Sequence, residues 1–458
     1  MTTHQREADL RTGFAGRVIL PDDPGYDEAR TIFNAMIDRR PAVIAQCANT
    51  DDVARAIGFA RERGLEVSVR GGGHGVAGKA LADGGLVVDL RLLDSVTVDP
   101  RARTARVGGG ATMRDLDRAA GEYSLATTGG RVSTTGVGGF VLGGGSGWLE
   151  RKFGLACDNL LSVELVTADG SHVRASEEEN PELFWALHGG GGNFGVATSF
   201  TLRLHPLPAV SVAMLLWPAE AGPEILTAYR DFIGSAPDDV GGGALYLTAP
   251  PEDFVPDGLA GRRAFAFLIT FTGTGSRANG VIGPMTRLGH AGGLRMEMPY
   301  ADLQCMLDDP PGYRNHWSAE HLREFPDDAV ARFCAMSEEM VIPSPSQQVL
   351  FPEGGAVARG PEYPIPWRHD PWVVHPFGLW EDPADDARAV AWAHGLRDAM
   401  GPWSTGAVYL NFIGDEGTDR VREGLGEGNL RRLAEVKRRY DPDNVFHNNQ
   451  NIRPALTA

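Results

Sequence analysis

Residues 70 to 78 read RGGGHGVAG, directly after the apolar run LEVSV. So many glycines make a poor helix and a poor strand, because each costs backbone entropy without adding packing. Such a run suits a place where something approaches the backbone closely. His74 sits inside it, and an imidazole that is neutral near pH 7 is a competent nucleophile toward an electrophilic partner. The simpler alternative is a tight turn carrying a surface histidine.

The chain holds further loops of the same kind. RVGGGAT, TTGG, GVGGFVLGGGSG and HGGGGNFG all fall between residues 70 and 195 and carry much of the total of 59 glycines. Backbone N–H groups from several such loops can converge into an anion-binding concavity suited to a pyrophosphate. Gly73-His74-Gly75-Val76-Ala77-Gly78 also fits the G-x-G-x-x-G dinucleotide fingerprint, but that motif must open a crossover helix. Here the next strand, LVVDL, begins at Leu86 and leaves only KALADGG between. Asp89 and Asp94 resemble the fingerprint's ribose-binding acid only by coincidence of spacing.

The elements that hold these loops are legible in outline. PAVIAQCA reads as a strand, TDDVARAIGFARER as a helix closed by Gly64, and LEVSV, LVVDL and TARVG as strands. ATMRDLDRAA forms a helix, and a long loop runs from Thr127 to Asn159. SVELVTADGSHVRA reads as a hairpin, and Asn180-Pro181 caps the helix ELFWAL. Beyond residue 207 the glycine runs stop. FAFLITF places Phe265, Phe267, Ile269 and Phe271 on one strand face, and DDAVARFCAMSEEM and PADDARAVAWAHGLRDAM are helices to cover it. AVYLNF reads as a strand, followed by the helix NLRRLAEVKRRY, which stops at Asp441-Pro442.

Composition narrows the class. The chain of 458 residues, 42% hydrophobic and 22% charged, is long enough for two domains or more. A net charge of −17 with no basic cluster argues against nucleic acid. No run of about 20 apolar residues is present to span a membrane. The start, MTTHQREADLRTG, lacks the apolar core of a secretory signal, so the expected compartment is the cytoplasm. Cys47, Cys157, Cys305 and Cys334 are too scattered for a disulfide framework and show no zinc spacing; they are expected to be thiols.

Taken in order, SVRGGGHGVAG, GGLVVDLRLLDSVTVD, TTGVGGFVLGGGSGWLERKFGLACDN, ELFWALHGGGGNFG, VYLNF and YDPDNVFHNNQNI resemble the FAD-linked oxidases of the berberine bridge enzyme type. These belong to the vanillyl-alcohol oxidase superfamily, and small bacterial hydroxynicotine oxidases share the layout. The resemblance runs from about residue 15 to the end. It implies an α+β fold with a two-part FAD-binding domain of the PCMH type over residues 1–207. A separate substrate domain, an antiparallel sheet flanked by helices, would span residues 208–405. A C-terminal segment, residues 406–458, would return to the FAD domain.

The resemblance also assigns residues. His74 would bond covalently to the flavin 8α-methyl group. Cys157, in GLACDNL, would form a second bond at flavin C6, against the alternative of a small buried apolar residue. Arg70, Gly71, Gly72, Gly73, Gly75, Val76, Thr134, Thr135, Gly136, Gly139, Gly144, Gly145 and Asn159 would line the cofactor. Asn448, Asn449 and Gln450 would return to the flavin and stabilise negative charge on its reduced form, the alternative being a polar coil. Tyr409 would accept the substrate proton and Asn411 would orient on the flavin side, both on one strand face; the base role requires a stabilised phenolate, since a phenol titrates near 10. The alternative there is a tyrosine simply packed in a sheet. Gln348, Glu353, Tyr300 and Trp317 are weaker candidates for the substrate pocket. The family's F-x-H-R is replaced here by WRHD, residues 367–370, which leaves the role of that segment open. Leu160, three residues after Cys157, would lie near flavin C4a and temper oxygen use, the alternative being a strand residue in the core.

The activity implied is FAD-dependent oxidation of an alcohol, a sugar hydroxyl or an amine. Molecular oxygen would be the acceptor, giving H2O2, in natural-product tailoring. A dehydrogenase with another electron acceptor is the alternative. No metal is expected.

Overall fold

In a computed structural model, residues 10–309 and 311–456 are described. The first nine residues of the polar start that set the expected compartment lie outside them. Among the described residues no helix is long and apolar enough to cross a membrane. The protein is α+β; its described residues form three large sheets and a two-stranded one, Leu125–Ala126 with His205–Pro206.

The first sheet orders Arg17–Ile19, Val43–Gln46, Leu86–Asp89 and Val67–Arg70, the last three parallel. The helix Thr50–Arg63 covers it, capped by the Asn49 side chain and closed by Gly64 in the left-handed region at φ 64°. The second sheet is antiparallel and contains the expected hairpin, Leu160–Val166 with His172–Ser176. Asn180 does not cap the helix Pro181–Ala186 with its side chain. Its amide instead donates to Arg174 O and accepts from the Tyr440 hydroxyl.

The third sheet has eight antiparallel strands, with Val240–Thr248, Gln347–Pro352 and Trp372–Trp380 side by side near its middle. Its two faces separate by alternation. Phe265, Phe267, Ile269 and Phe271 pack with Phe333, Trp392 and Leu396 from the helices Asp327–Met336 and Asp386–Met400. Leu245, Val349, Phe351 and Val373 point the other way, toward the glycine loops.

Two further expectations fail. AVYLNF is not a strand: Tyr409 is extended, and Leu410–Phe412 turns as a single 3-10 helix. Tyr409 and Asn411 are brought together by that turn and not by a strand face. The long loop from Thr127 to Asn159 contains two short α-helices, Val137–Leu142 and Glu150–Phe153, and the 3-10 turn Cys157–Asn159. The C-terminal helix Glu427–Tyr440 packs Leu433 and Val436 into the core of the second sheet, which joins the tail to the N-terminal half.

Candidate active site

The glycine loops and the open face of the third sheet enclose a cavity of about 400 Å³. Its lower wall is backbone. Gly71, Gly72, Gly73 and Gly75 meet Gly136, Gly138 and Gly139 from the second loop and Gly189 to Gly192 from the third. The loops pack main chain on main chain: a Cβ on Gly72 would stand 2.5 Å from Gly136 N. A Cβ on Gly75, Gly139 or Gly192 would meet nothing within 4 Å and would project into the cavity space. Glycine at these points leaves bare backbone facing the cavity, the cradle a flat, charged ligand requires.

His74 is half-buried on this wall, its ring stacked on Phe33 at 3.8 Å and its Nε2 without a hydrogen-bond partner. Burial lowers its pKa to about 4, against a smaller opposing effect from Asp308. The ring is neutral at ordinary pH, as a nucleophile must be. Val76 and Thr135 border the same space, as do Asn411, Asn448, Asn449 and Gln450. The amides also tie loops together. Asn448 donates to Leu81 O, Asn449 to Phe446 O and Gln450 to Gly414 O.

Tyr409 borders the cavity, and its oxygen accepts from Gly145 N at 3.1 Å and from Asn411 Nδ2 at 3.0 Å. Burial pushes its pKa well above the usual phenol range, more than these two bonds lower it. The phenolate that a base would need is therefore not favoured. Tyr409 is a neutral phenol whose own proton remains free to donate.

Several expected contacts are not made. Cys157 does not reach the cavity. Its amide donates to Gly144 O behind the loop, and its side chain is fully buried among Leu155, Val357, Ile365, Trp367 and Tyr409. Burial holds its thiol well above the usual range, with Asp158 adding to the effect. A neutral thiol sealed behind the loop gives no path to a C6 bond, and the alternative of a buried apolar residue applies. Asn159 is also structural, donating to Phe153 O and Leu155 O while its oxygen bonds His205. Arg70 points away and clamps Ala29 O and Thr31 O. Thr134 is exposed and off the wall, and Gly144 and Gly145 form the layer behind Gly143. Leu160 packs in the core of the second sheet and not on the cavity, so it cannot gate oxygen there.

Of the weaker substrate candidates, only Trp317 borders the cavity, 6.0 Å from His74 and stacked on Phe377 at 4.3 Å. Gln348 lies on the opposite sheet face, donating to Phe333 O and accepting from Trp392 Nε1. Its neighbour Gln347 borders the cavity instead. Glu353 is buried with neither carboxyl oxygen bonded, and burial, with Glu150 nearby, pushes its pKa well above the usual carboxyl range. Tyr300 accepts from Gly129 N and so fixes the chain just before Gly130 and Arg131, without lining the cavity itself. In WRHD, Arg368 forms a bidentate pair with Asp158 at 2.7 and 3.0 Å, a structural strut behind Cys157. Sequence reasoning missed Arg131, Phe351, His375, Phe377 and Phe412, all of which line the cavity.

Comparison with known proteins agrees with this geometry. An FAD-binding domain model matches residues 41–176, and a "berberine and berberine like" model matches residues 408–453. The chain is 32% identical to (R)-6-hydroxynicotine oxidase of Paenarthrobacter nicotinovorans, over 96% of this chain and 97% of that protein. It is 29% identical to an uncharacterised FAD-linked oxidoreductase of Bacillus subtilis (strain 168), covering 97% and 98% of the two chains. The crystal structure of 6-hydroxy-D-nicotine oxidase from Arthrobacter nicotinovorans superimposes with a TM-score of 0.87 at 30% identity, covering 97% of this chain and 99% of that one. Chitooligosaccharide oxidase shares the fold, with a TM-score of 0.83 at 20% identity. The bare-backbone cradle fits FAD, and the two matched segments are the ones that bring Gly71 to Gly75 and Tyr409 to Gln450 onto its wall. The chain belongs to the berberine bridge enzyme-like FAD-linked oxidoreductases.

Proposed function

We propose that this FAD-dependent oxidoreductase oxidises an alcohol or amine carbon of a largely apolar molecule, with the flavin bonded covalently to His74 and molecular oxygen as the final acceptor, giving H2O2. Tailoring of a natural product is the kind of role such chemistry serves. Bound flavin supplies a hydride acceptor. The observation that carries the reading is the shape of the cavity. Its glycine wall, with a neutral imidazole on it, faces a sheet surface of Leu245, Leu268, Val349, Phe351 and Phe377. That surface offers a sugar few hydrogen-bond partners and an apolar skeleton many contacts.

This chain's residues divide the work. The three glycine loops hold the cofactor on the wall, and His74 anchors it. The aromatic groups exclude water from the reacting carbon. Tyr409 offers its O–H as a hydrogen-bond donor to the substrate, its oxygen held in place by Gly145 N and Asn411.

The test is an anaerobic screen of alcohols, sugars and amines for bleaching of the flavin band, followed by admission of air. The expected result is bleaching by apolar alcohols or amines and recovery in air with H2O2 formed. Bleaching by sugars alone would remove the apolar-substrate reading. Bleaching without recovery in air would turn the protein into a dehydrogenase.

A further inference from the structure

His375 is the one ionisable side chain that the third sheet's strands present to the cavity among the described residues. Alternation along Trp372–Trp380 sends Val374 to the helix-covered face and His375 and Phe377 to the cavity. The imidazole is held on several sides. It stacks on Phe412 at 4.2 Å and 11°, meets Trp317 edge to face at 5.7 Å, and lies 5.6 Å from Phe377.

Its hydrogen bonding fixes which nitrogen can act. Nδ1 lies 2.8 Å from Ser318 O. A carbonyl oxygen only accepts, so Nδ1 carries the hydrogen. Burial lowers the ring's pKa to about 3, with Ser318 opposing and Arg131 adding to the effect, so the ring is neutral. A neutral ring protonated at Nδ1 leaves Nε2 as a bare acceptor, and no group among the described residues is bonded to it. Phe412 stands between this ring and that of Tyr409, 4.2 Å from one and 4.7 Å from the other. Both rings line the same cavity.

We propose that Nε2 of His375 is the proton acceptor of the oxidation. The proposal rests on the oxidation reading above. As the substrate's C–H bond breaks, its electron pair leaves with the hydrogen as hydride to the cofactor. The neighbouring O–H or N–H bond breaks in concert. Its proton passes to Nε2 and its electron pair becomes the new C=O or C=N bond. The substrate loses two electrons, the cofactor gains two, and the imidazolium returns its proton to solvent in a later step.

The test uses flavin-loaded protein and two probes of similar shape, phenol and anisole, which differ in having an O–H to donate. Binding is read from the perturbed flavin spectrum. One good hydrogen bond is worth about tenfold, so the unmodified protein is expected to bind phenol about tenfold more tightly than anisole. His375→Phe keeps a ring and should bind both alike, whereas His375→Gln, with an amide oxygen, should keep part of the preference. Loss of discrimination in His375→Phe with anisole binding unchanged supports the assignment. An unmodified protein that treats the two probes alike overturns it, as does His375→Phe that still prefers phenol. Should His375→Phe fail to load flavin, the unmodified protein labelled with 15N-histidine decides. An unprotonated Nε2 resonance that shifts with phenol and not with anisole supports the proposal; a protonated Nε2, or one that phenol leaves unmoved, overturns it. If the oxidation reading itself were wrong, no donor would bleach the flavin, and the binding comparison would still report on Nε2.

Discussion

The imidazole of His74 lies face to face on the ring of Phe33, centroids 3.8 Å apart and planes 17° from parallel. Phe33 N also donates to Gly73 O, so the ring platform and the loop are one unit. The stack fixes the plane in which the imidazole meets the cavity, and the depressed pKa of about 4 keeps it neutral. The covalent link should therefore form equally well from pH 6 to pH 9. Unmodified protein is expected to stay yellow after acid precipitation and to show flavin fluorescence on a denaturing gel. His74→Ala should release all its FAD under acid. Flavin retained by that variant would place the bond on another residue.

For Tyr409, the geometry separates two roles that differ in size. A general base contributes about 10²-fold or more, whereas one neutral hydrogen bond is worth about tenfold. Because both N–H partners point at the Tyr409 oxygen and burial keeps the phenol protonated, Tyr409→Phe is expected to slow anaerobic flavin reduction by about tenfold. Flavin loading and the pH dependence of the step should be unchanged. A loss of a hundredfold or more, with an alkaline limb removed from the pH profile, would restore Tyr409 as the base.

Cys157→Ala removes a sulfur from a sealed apolar cluster, not from the cofactor. The flavin spectrum and the acid-stable flavin content should match the unmodified protein. Stability should fall by about 1 kcal/mol, the usual cost of a small cavity, read from denaturant unfolding. A shift in the flavin band or free FAD after precipitation would reinstate the second bond.

The contrast between His74 and Cys157 shows what a sequence can and cannot carry here. The glycine runs announce bare backbone wherever they occur, because only a close approach justifies them, and His74 lies inside one. Cys157 lies one layer behind such a run, bonded through its amide to Gly144 O, and nothing in GLACDNL distinguishes the front of a loop from its back. The same limit explains Gln348. A strand's alternation is visible, but which parity faces the cavity depends on what covers each side, so Gln347, Phe351, His375 and Phe377 escape a reading of sequence alone. A histidine inside the apolar strand WVVHPFGLW was the available signal for His375. AVYLNF misleads for a tertiary reason. Its apolar alternation suits a strand, but the Asn411 amide reaches both Tyr409 Oη and Gly139 O, and that contact accompanies a 3-10 turn. Elements such as the helix Thr50–Arg63 and the hairpin Leu160–Val166 with His172–Ser176 were legible because their periods and turns are local.

The joint between the two halves is expected to titrate. Asp117 is buried in the helix Met113–Gly121, which packs against Tyr300–Met306, and it accepts from Gln304 Nε2 at 3.0 Å while its Oδ1 has no partner. Burial raises its pKa to about 7, the Gln304 bond offsetting only part. An aspartate in an unfolded chain titrates near 3.9. Between those values the folded state binds more protons than the unfolded one, so this group's contribution is fully present below about pH 4 and is lost as pH rises through 7. An amide in place of the carboxyl keeps the shape and removes the titration. Asp117→Asn should therefore match the unmodified protein near pH 4 and exceed it at pH 8, by at most roughly 4 kcal/mol on the linkage relation. The check is the difference in unfolding midpoint between the two proteins at a series of pH values, which cancels the other titrating groups. A difference that does not grow with pH would mean that Asp117 is ionised in the folded protein.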